Sequence, residues 1–133
     1  MDWNRTFAPS LDDFEKLAKA AYAELPDSFR ELTKGIVIRV ADFPDEDALE
    51  ELGLESEFDL LGLFQGVGLA QDNAVPQTGR MPNMIFLYRR PILDYWAEHE
   101  ETLGEIVTHV LIHEIGHHFG LSDEDMEAIE ARV

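Results

Sequence analysis

His113, Glu114, His117, Gly120 and Asp123 fall in the order H-E-x-x-H-x-x-G-x-x-D. Two histidines four apart lie one turn apart on one face of an α-helix, so their rings can aim at a single point. Two imidazoles converging on a point suit a tetrahedral metal such as zinc. Glu114 sits about 100° around the helix from His113, which places its carboxylate beside the metal rather than on it. A carboxylate there can take a proton from a metal-polarised water. The run therefore carries the parts for hydrolysing an amide bond: one zinc ion held by His113 and His117, with Glu114 as general base.

A third protein ligand is needed, and Asp123 is the best placed. On an unbroken helix it would lie ~9 Å further along the axis than His117 and off the histidine face. The helix must therefore stop and turn. Gly120 permits this, because glycine enters the left-handed conformation at a helix C-terminus without a Cβ clash. Ser122 then caps a new helix, with Asp123 in its first turn and Asp125 completing the cap. Glu127 and Glu130 are alternative third ligands further along that helix.

The preceding chain supplies the frame. Thr102 to Phe119 reads as the main helix, with Leu103, Ile106, Val107, Val110 and Leu111 toward the core. Ser10 with Asp13 opens an earlier helix that carries Leu11, Phe14, Leu17, Ala18, Ala21 and Leu25 on one stripe and ends at Pro26. A short turn near Phe29, an acidic helix from Asp45 to Leu52 closed by Gly53, and a helix starting at Pro91 complete the helical set. Ile36 to Val40 and Asn83 to Arg89 read as strands. Leu60 to Gly68 is apolar and rich in glycine, which predicts a buried strand with a bend. Residues 72–82 read as a surface loop.

The H-E-x-x-H-x-x-G-x-x-D run resembles the zincin metalloproteases, in their metzincin-like branch with aspartate as third ligand. The resemblance is closer to the minimal bacterial zincin-like metallopeptidases. Leu60-Leu61-Gly62-Leu63-Phe64-Gln65-Gly66-Val67 is similar to their central loop segment. Ile85-Phe86-Leu87-Tyr88-Arg89-Arg90-Pro91-Ile92 is similar to the strand before their active-site helices. The similar segments span residues 60 to 125. The resemblance implies metal ligands at His113, His117 and Asp123, a catalytic base at Glu114, one zinc ion and a peptide or protein substrate. It also implies an α+β zincin-like fold, with a small mixed sheet of three or four strands and the active-site helix near the C-terminus. By analogy with that fold, Ile85 to Tyr88 is the strand whose edge an extended substrate would join. The chain departs from metzincins in lacking the distant methionine turn. Only ten residues follow Asp123, and Met126 is too near to form one.

Composition narrows the field. The chain has 133 residues, suited to a single domain over 1–133, and its 45% hydrophobic content is that of a globular protein. It has no cysteine, so a metal site must use histidine and carboxylate. The net charge of −18 repels nucleic acid and anionic membrane. No secretory signal or membrane-length apolar run is apparent, which points to the cytoplasm. From Glu98 to Val133 there are ten acidic residues and one basic, Arg132. Arg80, Arg89 and Arg90 read as ion-pair partners for nearby acids.

All five histidines lie between His99 and His118. His109, one turn before His113, reads as a packed helix residue or a supporter of the metal site. His118 points away from the ligand face, and His99 reads as a surface residue. Tyr88 and Tyr95 are candidates for a phenol that stabilises an oxyanion, although core packing explains both. The rival to hydrolysis is a zinc-binding or peptide-binding domain without catalysis.

Overall fold

The computed structural model describes residues 2–66 and 83–133. The expected 72–82 loop, Arg80, Val67 and Gly68 fall outside them. A 3₁₀ turn at Trp3–Arg5 precedes helix α1 (Leu11–Ala23) and helix α2 (Asp27–Leu32). Strand β1 (Val37–Ala41), helix α3 (Glu46–Leu52), a 3₁₀ turn (Glu57–Asp59) and strand β2 (Gly62–Gln65) follow. Strand β3 (Met84–Tyr88) runs directly into helix α4 (Arg89–Glu98). Helices α5 (Leu103–His118) and α6 (Asp123–Ala131) end the chain. This is an α+β fold with six helices and a mixed three-stranded sheet among the described residues.

Local sequence accounts for the helix starts. Ser10 and Asp13 form a reciprocal capping box on α1, as Thr102 and Glu105 do on α5 and Ser122 and Asp125 on α6. Each box satisfies backbone N–H groups that the first turn leaves without partners. Pro91 lies in the first turn of α4, where its missing N–H costs nothing.

The sheet order is β1-β3-β2, with β1 parallel and β2 antiparallel to β3. Ile85 pairs with Ile38 on one side and Phe64 on the other. This corrects the expectation for Ile85 to Tyr88. That strand is the centre of the sheet, its backbone groups are already shared with two neighbours, and an extended substrate cannot join its edge. The edges among the described residues are β1 and β2.

One core joins the layers. Phe14 and Ala18 of α1, Phe64 of β2, Ile85 and Leu87 of β3, Ile92 of α4 and Met126 of α6 are buried together. Helix α5 runs through them and buries Ile106, Val107, Val110, Leu111, Ile112 and Ile115. β2 approaches α5 closely at Gly62. A Cβ there would lie 2.6 Å from Val110 Cγ1 and 3.0 Å from the Phe86 carbonyl oxygen. The glycine in this short strand is thus a spacing requirement.

Arg89 behaves as expected, pairing with Asp42 at 3.2 Å and donating to the Pro9 carbonyl at 2.6 Å. Arg90 instead lies over the Phe43 ring, 5.5 Å from its centroid. No described helix is long and apolar enough to cross a membrane.

Gly62→Ala tests the β2–α5 contact. Neither a β-branched side chain nor a backbone carbonyl can retreat cheaply, so overpacking should cost about 1–3 kcal/mol. A urea denaturation midpoint equal to that of wild type would refute the packing argument.

Candidate metal centre

The buried residues of α5 fix the direction of its other side chains. With Val107, Leu111 and Ile115 locked inward, His109, His113 and His117 form a row at i, i+4 and i+8 that borders the buried arc. Adjacent rings in the row touch. His109 and His113 stack at 4.0 Å between centroids and 24° between planes, and His113 meets His117 edge-on at 5.9 Å.

α5 then ends as the sequence requires. Gly120 has φ +77°, its N–H donates to the His117 carbonyl, and the Leu121 N–H donates to the Gly116 carbonyl. These two bonds form a Schellman turn. Ser122 caps α6 at once, and α6 folds back on α5. Their contact is tight at Gly116, where a Cβ would fall 2.5 Å from Met126 Sδ. Met126 is wholly buried there.

This register puts two carboxylates of α6 against the histidine row. Asp123 Oδ1 lies 3.8 Å from His117 Nε2. Two ligands of one tetrahedral zinc sit about 3.3 Å apart, given metal–ligand distances near 2.0 Å. The pair is about half an ångström wider than that spacing. Asp123 is 86% exposed and His117 59%, so both are free to adjust. Two turns further along α6, Glu130 Oε1 lies 2.5 Å from His113 Nε2 and 2.8 Å from His109 Nδ1. The structure thus joins His117 to Asp123, and His113 to Glu130. Glu130 and His109 are engaged more fully than the sequence reading allowed. The available signal was spacing: Asp123 to Glu130 covers two helical turns, as does His109 to His117.

Glu114 occupies the flank of this row and is partly buried. Burial raises its pKa above the usual carboxylate value, and the opposing attraction of His117 is smaller. Tyr88 is 4% exposed. Its phenol is pushed up to about 12 by burial first, then by the negative charges of Asp45 and Glu114. A shared field therefore links Glu114 to His117 on one side and Tyr88 on the other.

The remaining histidines do other work. His118 faces Phe64, with ring centroids 4.1 Å apart, and its Nε2 is buried with no hydrogen-bond partner among the described residues. Burial lowers its pKa, which keeps the ring neutral. His99 sits at the exposed end of α4, bonded to the Tyr95 carbonyl at 2.7 Å and stacked on the Tyr95 ring. Tyr95 thus packs its ring on His99.

The donors fit zinc by their chemistry: imidazole nitrogens and carboxylate oxygens, with no thiolate. A mixed sheet packed on a helix that carries H-E-x-x-H, with a second helix folding carboxylates onto it, defines a zincin-like protein. The chain belongs to the family of zincin-like metallopeptidases, whose model matches residues 33–133. A conserved hypothetical protein from Thermus thermophilus has a similar fold, with a TM-score of 0.52 and 20% sequence identity over 93% of this chain and 100% of that one. No curated protein matches significantly. α1 shares the core with α5, so residues before the family match contribute to the same packing.

The raised pKa of Glu114 makes a prediction for the metal-free protein. A carboxyl whose folded pKa exceeds its unfolded value contributes stability below about 4.5 that is lost as pH rises through the folded pKa. Glu114→Gln should therefore melt above wild type at pH 7, and the gap should close as pH falls below 4.5. Melting curves in chelator at several pH values decide it. A gap that is constant with pH would show that Glu114 is not strained by burial.

Proposed function

We propose that this chain is a zinc-dependent metallopeptidase that hydrolyses peptide bonds with water. His113, His117 and Asp123 would hold one zinc ion, and Glu114 would act as general base. The observation that carries this reading is Glu114. A purely structural metal position gains nothing from a carboxyl beside its ligands. This one is partly buried, coupled to His117 and raised toward the pKa range where a base works at neutral pH.

Zinc bound between these residues would act as a Lewis acid, polarising water and the scissile carbonyl. Glu114 takes a proton from the attacking water and passes it to the nitrogen of the departing amine. Its position one residue after His113 aims it at the space beside the ligands without competing for the metal. Tyr88 stays protonated at neutral pH. It feels the charge of Glu114 and is a candidate to donate toward a developing oxyanion. The partner is a peptide or protein. A net charge of −18 disfavours nucleic acid and anionic membrane.

The second reading is a metal-binding domain on this fold that does not hydrolyse peptides. The hold of Glu130 on His113 favours it, because a histidine engaged elsewhere is not poised for the motif position.

Glu114→Ala separates the two. Under the peptidase reading, the variant keeps its zinc and loses about 10²–10⁴-fold in kcat on any peptide the wild type cleaves. Bound zinc by atomic absorption and turnover of a peptide library are the measurements. Equal hydrolysis by the two proteins removes Glu114 from the mechanism. Cleavage by neither, with a melting temperature that drops sharply on chelation, supports the non-catalytic domain.

A further inference from the structure

The feature that the motif does not absorb is the meeting of His109, His113 and Glu130. One carboxylate oxygen accepts from two imidazole nitrogens at 2.5 and 2.8 Å. The three ligand atoms all lie within 4.8 Å of one another. They come from two helices whose register is held elsewhere, at Gly116 and Met126, so their convergence does not depend on their own attraction. His109 is 55% exposed and Glu130 32%, so an ion could enter and keep water on its open side.

A second observation concerns what lies next to the cluster. His109 and Glu130 line a groove of about 510 Å³ between α1, α5 and α6. Its floor is apolar, from Leu17 and Ala21, and Glu24, Glu101 and Glu105 line it as well. These acids would concentrate cations at its mouth.

We propose that His109 Nδ1, His113 Nε2 and Glu130 Oε1 form a second binding position for a first-row divalent cation, one helical turn from the motif position and open to this groove. Two imidazoles and one carboxylate suit zinc, cobalt or nickel in preference to calcium or magnesium. His113 belongs to both positions. Its Nε2 has one lone pair, so only one ion at a time can use it. The two positions therefore compete. The one carboxylate in this cluster, Glu130, is itself a ligand and is not free to act as a base. The second position is thus a holding position rather than a hydrolytic one.

The test silences the motif position first, so it is independent of whether the peptidase reading holds. Zinc is titrated against a chromogenic chelator into wild type, into His117→Ala/Asp123→Asn, and into that protein with Glu130→Gln added. Circular dichroism confirms folding of each. The double variant should still bind one zinc. Adding Glu130→Gln should weaken that binding by about 100-fold or more, since even outer-shell partners of ligands are worth 10–100-fold. A folded double variant that binds no zinc, or whose affinity ignores Glu130→Gln, overturns the proposal. Should a variant not fold, nitrogen-edited NMR of the histidine rings in the single variant Asp123→Asn, whose motif position has lost a ligand, replaces it. Zinc must shift the His109 ring nitrogens, and unmoved His109 signals overturn the proposal equally.

Discussion

The site depends on one reversal of the chain. The Leu121 N–H closes on the Gly116 carbonyl, Gly120 takes a left-handed conformation, and α6 is turned back along α5. Without that turn the histidine row would face solvent with no carboxylate opposite. The packing of Met126 against Gly116 then sets how far along α5 the returning helix sits. Side-chain geometry at Asp123 and Glu130 follows from those two contacts. A Cβ at Gly116 would act on the same register from below.

The fold's larger pieces serve to hold α5 still. It buries six large apolar residues among a sheet and several helices, which leaves its histidine side with a fixed direction. Rotation of α5 by one residue would swing each ring about 100° and strip those residues from the core. At roughly 25 cal/mol per Å² of apolar surface, even a fraction of that area outweighs any single imidazole contact. The core therefore dictates the site, and the site does not shape the core.

Much of this was written locally in the sequence. Ser10 with Asp13 and Ser122 with Asp125 marked their helix starts through short-range hydrogen bonds, and Gly120 marked the turn. Gly62 showed as an oddity in an apolar run, and its reason appeared only with Val110 beside it. Strand order was not legible, because β1 and β3 pair across more than forty residues and nothing in either segment names its partner. That is why Ile85 to Tyr88 read as an edge and proved central. The meeting of Glu130 with His109 and His113 was hidden for a similar reason. It depends on helix register, which a local pattern does not carry, whereas H-E-x-x-H is confined to five residues.

The seating of Met126 on Gly116 has a thermodynamic consequence. Among the described residues, the carboxylates that meet the histidine row, Asp123 and Glu130, ride on the last helix, so an ion bridging α5 and α6 draws on the free energy that docks that helix. The factor by which a docked α6 raises metal affinity is the factor by which a bound ion tightens the docking. A bound ion and the last helix thus act as one linked equilibrium, with α6 fastened more firmly as metal becomes available.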